Sequence, residues 1–478
     1  MEATRKTPRG NGGAPALKEY HGRRVTVMGL GLFGGGVAAA RYFVAHGAHV
    51  TVTDLKTAAS LAPSVKALEG LRITLHLGGH DPRDFTETDV VVVSPAVPKT
   101  SRFLRMAEQA GVGITSEMNL FLEACPAPII GVTGSNGKST TTGLLGAMLS
   151  PAGPTRVGGN IGKSLLEEVE AIRPEERVVL ELSSFQLEDA ARIGRSPHVA
   201  VVTCISENHL DRHGTMQAYI DAKKNVLRFQ GASDWAVLNE DDAEVRTWGE
   251  EARGRVARYS ARGPVERGVF AEGSTLVFRL GEGEERLDVG GRLRLRGRHN
   301  LSNVLAAATA ARLLGATTEM IASAVGTFRA LPHRLEPVGG KDGMVFIDDS
   351  KATTPLAARL AIEAFTEPVV LIAGGYDKHA DPGPMVEAIR SGAKAVVLMG
   401  VTADALGAAI GEGATTVERA ADMDDAVRRA VRLAGPGDVV LLSPGHASWD
   451  MFENYEDRGD QFRRAAERLG MKPLEADP

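Results

Sequence analysis

The sequence predicts an α/β protein of three domains, and three observations carry that reading. The chain has 478 residues, roughly three times an ordinary domain length. From Arg24 onward a short β-branched run, a glycine-rich turn and an alanine- or leucine-rich amphipathic segment recur, the pattern of βα units on a parallel sheet. Hydrophobic residues make up 43% of the chain, enough to give each domain its own core and to exclude wholesale disorder.

In chain order, VTVMG (25–29), HVTVTD (49–54), ITLHLG (73–78) and DVVVVSP (89–95) are expected as strands of a first doubly wound unit. A second series runs through APIIGVTG (127–134), VVLELS (178–183), VAVVTCI (199–205) and WAVLN (235–239). A third holds MVFIDDS (344–350), PVVLIAGG (368–375), AVVLMG (395–400) and DVVLLSPG (438–445). Turn residues cluster at Cys125-Pro126-Ala127-Pro128 and at Leu331-Pro332-His333-Arg334, where the domain boundaries are expected. Between 250 and 297 the short alternating segments GVFAEG, TLVFRL, RLDVGG and RLRLRG predict a small antiparallel elaboration of the middle domain. Residues 1–20, with charges, Gly and Pro but no apolar run, are expected to be a disordered extension.

Charge and cysteine usage remove several classes of function. Fifty-five basic against 60 acidic residues leave a net −5, so there is no global basic field for nucleic acid. Two cysteines, Cys125 and Cys204, exclude a disulfide framework and a Cys-rich metal site, and point to a reducing, cytoplasmic compartment. No stretch approaches the ~18 uninterrupted apolar residues of a membrane span, and neither export nor insertion is expected.

Two glycine loops carry chemistry. Gly29-Leu-Gly31-Leu-Phe-Gly34 follows a strand and opens a helix, and Asp54 lies 20 residues after Gly34 at the end of the next strand. Glycines let backbone approach a diphosphate, helix amides neutralise it, and the carboxylate can accept from a ribose or base. By itself this loop fits a nicotinamide cofactor, another nucleotide diphosphate, or mere close strand–helix packing, although 55–120 offers no hydride-transfer partner. The second loop, Gly131-Val-Thr133-Gly134-Ser135-Asn136-Gly137-Lys138-Ser139-Thr140-Thr141, again joins a strand to a helix. Its amides can cradle phosphates, Lys138 can meet the β/γ oxygens, and Ser139 or Thr140 can ligate Mg²⁺. Val132 stands where a generic phosphate loop has its first glycine, whereas T-G-x-N-G-K-[ST] fits throughout. Downstream, Glu181 ends the strand VVLEL, His209 follows the strand VAVVTCI within SENHLDRH, and Lys223 lies in the helical text YIDAKKNVL. Singly each has a bland reading, as a sheet-edge charge, a loop histidine and a solvated lysine. A shared carboxyl edge beside a phosphate loop favours a metal-assisted phosphoryl site.

With these markers the chain resembles the Mur ligases, ATP-dependent amide-forming enzymes of peptidoglycan assembly. The markers run in order over 21–478: GLGLFGGG (29–36), GVTGSNGKSTTT (131–142), GGNIG (158–162), ELSSFQLE (181–188), HLDRHG (209–214), GRHNLSN (297–303), LPHRLE (331–336), DDSKATT (348–354), GGYDK (374–378) and SPGHASWDMFENYEDRG (443–459). The resemblance implies a Rossmann-like UDP-binding domain (21–120), a central P-loop ATPase-like domain (121–331) and a C-terminal Rossmann-like, amino-acid-binding domain (332–478). It is strongest to the D-glutamate-adding branch, which implies UDP-N-acetylmuramoyl-L-alanine, D-glutamate, ATP and Mg²⁺ as partners of a monomeric enzyme.

Carried over residue by residue, the resemblance puts UDP near Leu32, Phe33, Asp54 and Ser94, and the muramoyl-alanine part near Asn160, Ser183 and Gln186. ATP phosphates go to Gly134, Ser135, Asn136, Gly137, Lys138, Ser139, Thr140 and Thr141, and the nucleoside to Asn300, Asn303, Arg334 and Asp349. Magnesium goes to Ser139, Glu181 and His209, joined by Lys223 as a carbamate; Lys138, Glu181, His209 and Lys223 are the implied catalytic set. D-glutamate maps to Thr353, Lys378, Ser448 and Tyr455. The chain departs from the family pattern at Ala96, Asn208, Asp348, Thr354 and Tyr455, without loss of a recognisable functional atom. It lacks the D-x-P-R motif of the diaminopimelate- or lysine-adding branch.

Overall fold

The computed structural model describes residues 20–32, 34–162, 164–413 and 415–473. The expected extension 1–20 lies outside them apart from Tyr20, whose ring packs edge-on against Phe43 at 4.8 Å. Among the described residues the strands form three sheets flanked by helices, as the βα recurrence predicts.

The first sheet contains β1 (Arg24–Met28), β2 (His49–Asp54), β3 (Ile73–Leu77), β4 (Val90–Val93) and β5 (Gly113–Thr115). Its order is β3-β2-β1-β4-β5, parallel throughout. The chain leaves β1 toward β2 on one side and β4 lies on the other, so the glycine loop after β1 opens at the point where the winding reverses, the usual crevice of such sheets.

The second sheet is built from β6 (Ile129–Thr133), β7 (Thr155–Gly159), β8 (Arg177–Glu181), β9 (Val199–Val202), β10 (Trp235–Asn239), β11 (Arg255–Ser260), β12 (Gly268–Glu272), β13 (Thr275–Gly281) and β14 (Gly283–Asp288). They follow the order β14-β13-β12-β11-β10-β9-β6-β8-β7. The expected antiparallel elaboration is present over β12, β13 and β14 and is refined in two respects. It continues the domain's own sheet, with β11 and β12 parallel and β12, β13 and β14 antiparallel. RLRLRG (292–297) forms no strand: the amides of Arg292 and Leu293 both turn back to the Val289 carbonyl, and Leu295 is tucked into the interior.

The third sheet holds β15 (Glu336–Lys341), β16 (Met344–Asp348), β17 (Val369–Ala373), β18 (Ala393–Leu398), β19 (Thr416–Arg419) and β20 (Val439–Leu442), in the order β15-β16-β20-β17-β18-β19. Only β15 runs antiparallel to its neighbour. Both faces are covered. Ile347, Leu371, Val396 and Leu441 point into one apolar cluster with Met385 and Ile389, while Phe346, Ile372, Val397 and Leu442 point into another with Val427 and Phe462. Alternate residues of each strand thus serve opposite cores, which is why these strands read as unbroken apolar runs.

The described chain divides into two compact units. One takes in the residues up to Thr133 with Gly153–Ala200 and Ala222–Trp235; the other takes in Gly134–Ala152, Val201–Asp221 and everything from Ala236 onward. No helix of the described residues is long and apolar enough to cross a membrane.

Candidate functional site

In the first unit the glycine loop is closed by Asp54. One carboxylate oxygen accepts the amides of Leu30 (2.9 Å) and Gly31 (3.2 Å), and the other accepts that of Lys56 (2.9 Å). A side chain at Gly36 would run into the Leu30 carbonyl at 2.5 Å, and one at Gly29 into Ser94 at 2.8 Å. Gly29 and Gly36 are therefore required by close packing, whereas a Cβ at Gly31 or Gly34 would meet nothing within 4 Å, and the loop has the expected residues Asp54 and Ser94 against it. Leu32 is half exposed beside them; Phe33 lies outside the described residues.

The same unit gathers residues from β7 and β8. Glu181, at the end of β8 and buried, accepts the Asn160 side-chain amide at 2.8 Å, while its carbonyl takes the Asn160 backbone amide at 2.8 Å. Lys223, on the helix Met216–Arg228, is only 1% exposed and donates to the Thr133 hydroxyl at 3.4 Å. Ser183 and Gln186 occupy each other. Ser183 caps the helix Ser184–Ile193, accepting the Gln186 amide (3.3 Å), and the Gln186 carbonyl oxygen accepts from the Ser183 amide and hydroxyl (both 2.9 Å), a reciprocal capping box.

In the second unit the phosphate loop passes from Gly134 (φ +145°) to Gly137 (φ +82°), which begins the helix Lys138–Leu149. A Cβ at Gly134 would lie 1.9 Å from the Thr203 hydroxyl, and one at Gly137 would lie 2.3 Å from the Asn303 amide oxygen. Ser135 exchanges hydrogen bonds with the Ser206 backbone (2.9 Å each) and meets the Tyr219 hydroxyl at 3.0 Å; the Thr203 hydroxyl donates to the Asn136 carbonyl at 2.5 Å. Lys138 donates to the carbonyls of Gly134 and Ser135, 3.0 Å each, so its ammonium is held over the loop. His209 takes a left-handed backbone (φ +55°) at the start of the short helix Leu210–His213.

Asn300 and Asn303, one turn apart on the helix Arg298–Leu313, are joined at 2.9 Å, and Asn303 accepts the Thr141 hydroxyl at 3.3 Å. Arg334 reaches the Ser139 hydroxyl at 3.4 Å. Asp349 is buried, accepting the Leu335 amide (3.2 Å) and the Ser443 hydroxyl (2.8 Å), and burial pushes its carboxyl up to about 7. Gly137, Asn300, Asn303, Arg334 and Asp349 line one pocket, where His299 joins them. Burial, aided by the Arg334 charge, pulls the His299 imidazole down to about 4, so it is neutral at pH 7.

The C-terminal residues cluster around a buried arginine that the sequence reading gave no role. Arg458, 1% exposed, donates to the Ser350 hydroxyl and carbonyl (3.0 and 2.7 Å) and to the His446 carbonyl (3.0 Å), tying the segments that carry Thr353 and Ser448 to its own helix, Tyr455–Arg468. Ser350 also donates to the Tyr455 carbonyl at 2.8 Å, and the Lys351 ammonium stands over the Tyr455 ring at 5.1 Å. Lys378 stands over the Trp449 ring at 4.9 Å. His333, Glu336 and Asp348 could each offer a metal a ligand atom within 4.8 Å of the others. They are engaged otherwise: His333 binds Asp348 at 2.7 Å, and Glu336 takes the His333 amide and the Arg463 guanidinium. The sequence offered one signal for Arg458, its place in ENYEDRG, and none for the pairing of His333 with Asp348.

A glycine loop closed by Asp54 after β1, a T-G-x-N-G-K loop after β6 and a third α/β sheet in one chain define a class, and sequence comparison agrees with it: the chain belongs to the Mur ligase family. The MurD-like N-terminal domain of Mur ligases matches 23–116, the Mur ligase middle domain 132–311, and the glutamate ligase domain 333–446. Within the family, relatives from Symbiobacterium thermophilum and Roseiflexus sp. are each 43% identical, over 451 and 463 residues, covering 93% of this chain and 98% of their own length; both are named UDP-N-acetylmuramoylalanine--D-glutamate ligase. The fold is also that of the UDP-N-acetylmuramate-alanine ligase MurC from Thermotoga maritima (TM-score 0.62, 19% identity, 94% of this chain and 99% of that one). It is shared with the MurF ligase of the same organism, solved with ADP (TM-score 0.59, 18% identity, 95% and 97%).

Proposed function

We propose that this chain is the ATP-dependent ligase that joins D-glutamate to UDP-N-acetylmuramoyl-L-alanine, a cytoplasmic step of peptidoglycan precursor assembly, and that it acts as a monomer. The observation that carries the reading is the near-full-length similarity to relatives of that name. Domains of 21–120 for UDP, 121–331 for ATP and 332–478 for the amino acid follow from it. So does UDP against Leu32, Phe33, Asp54 and Ser94, with the sugar–alanine part against Asn160, Ser183 and Gln186.

The chemistry follows from charge. The alanine carboxylate is a poor electrophile, so its oxygen attacks the γ-phosphorus of ATP and expels ADP, giving an acyl phosphate; the neutral amine of D-glutamate then attacks the acyl carbon and expels phosphate. Gly134–Thr141 present amides to the phosphates, and Lys138 exchanges its loop carbonyls for phosphoryl oxygens, neutralising charge that grows in the transition state. Asn300, Asn303, Arg334 and Asp349 hold the nucleoside. A hydroxyl, a carboxylate and an imidazole from Ser139, Glu181 and His209 suit Mg²⁺, and Lys223 joins them as a hard oxygen donor once its amine has taken up CO₂. The ion, when bound, offsets phosphate charge. Thr353, Lys378, Ser448 and Tyr455 supply cationic and hydroxyl donors to the two carboxylates of D-glutamate.

The test is phosphate release with substrates omitted one at a time. ADP and phosphate are expected only with UDP-N-acetylmuramoyl-L-alanine, D-glutamate, ATP and Mg²⁺ together. Equal turnover with L-alanine on the unsubstituted sugar would reassign the chain to the preceding ligation.

A further inference from the structure

Trp449 is 62% exposed and Tyr376 44%, an unusual exposure for two large rings, and they lie against each other with centroids 5.6 Å apart. Their backbones are fixed. Tyr376 and Ala447 form an isolated antiparallel bridge through reciprocal hydrogen bonds of 2.8 and 3.2 Å. The Ser448 carbonyl accepts the amides of Met451 and Phe452, and Asp450 accepts that of Val401 at 3.0 Å. The rings therefore stand on a rigid double loop at the carboxyl ends of β17 and β20, with Lys378 two residues beyond Tyr376 and Ser448 beside Trp449. Lys378 has a flexible four-carbon stem that solvent alone would leave to wander, yet its ammonium sits over the indole face at 4.9 Å. The charges that act on it are Asp211, which attracts, and Arg458, which repels.

We propose that Trp449 is a positioning residue for amino-acid binding: its indole, braced by Tyr376, fixes the Lys378 ammonium against the loop that carries Ser448, so that a carboxylate of the incoming dicarboxylic amino acid meets a cation already held in place. This rests on the reading of Lys378 as a D-glutamate residue. A lysine fixed before binding loses less side-chain freedom when the carboxylate arrives, so the contact acts on KM rather than on the chemical step. The exposed ring has little packing role to lose on substitution.

Steady-state kinetics with D-glutamate varied, at saturating ATP and UDP-N-acetylmuramoyl-L-alanine, test this in Trp449→Ala, Trp449→Phe, Lys378→Met and the Trp449→Ala/Lys378→Met pair. Trp449→Ala is expected to raise the KM for D-glutamate about 3- to 30-fold with kcat within about twofold, Trp449→Phe to recover most of the loss, and the double variant to be no worse than Lys378→Met. If Lys378→Met raises this KM but Trp449→Ala does not, or if the two effects multiply in full, the positioning role is wrong while the D-glutamate reading stands. If Lys378→Met itself leaves the KM unchanged, that underlying reading falls.

Discussion

At Gly134 the left-handed backbone and the Thr203 hydroxyl, 1.9 Å from where a Cβ would sit, leave no room for any side chain. Gly134→Ala should therefore cost roughly 1–3 kcal/mol of stability and lower ATP turnover at least ~100-fold, because the loop must move to relieve the clash. Denaturant unfolding alongside ADP release checks both, and wild-type turnover would contradict the phosphate role of the loop. His299 makes a pH prediction. Its ordinary value is 6.5 and its folded value about 4, so in that window unfolding takes up a proton that the folded chain refuses. Stability should fall as pH drops from 6.5 toward 4, and His299→Gln should flatten that part of the profile; identical slopes in thermal unfolding would show the imidazole to be better solvated than its surroundings indicate.

The helix Ser184–Ile193 starts at two residues, Ser183 and Gln186, whose side chains are engaged with each other. Its capping box satisfies the orphan amides of the first turn. Ser183→Ala should lower unfolding free energy by about 1 kcal/mol, and Ser183→Asp should restore most of it, since a carboxylate caps as well as a hydroxyl. If Ser183 also meets the sugar nucleotide, KM for that substrate rises in both variants; a KM that recovers with Asp would assign the residue to capping alone. Strands show the same division between what a pattern reveals and what it hides. The central strands β1, β6, β8, β16, β17 and β20 were legible because both faces are buried. β5, β7, β11, β15 and β19 were not expected from the sequence, and all but β11 lie at the edge of their sheet. An edge strand need satisfy only one neighbour, so texts as short or glycine-rich as GIT, TRVGG and EPVGGK suffice.

For the molecule as a whole, the third sheet is held by apolar clusters on both faces, and the residues proposed for Mg²⁺, Ser139, Glu181, His209 and Lys223, belong to neither cluster. Metal should therefore matter to turnover and little to folding. Chelation of Mg²⁺ is expected to abolish ADP formation, reversibly, while the thermal midpoint moves by less than about 2 °C; a large fall in the midpoint would make the metal structural.

The sequence by itself determined the α/β class, the three sheets, the two glycine loops and the family, because apolar periodicity and loop chemistry are local properties of the text. Tertiary structure alone decided which residues share a surface. Asn300, Asn303, Arg334 and Asp349 come from distant positions to one pocket, and Arg458 ties Ser350 to His446 across about a hundred residues. It also decided that the Lys378 ammonium lies on the Trp449 indole. Such contacts depend on how helices pack on strand ends and on which charges are buried, and no spacing along the chain encodes that.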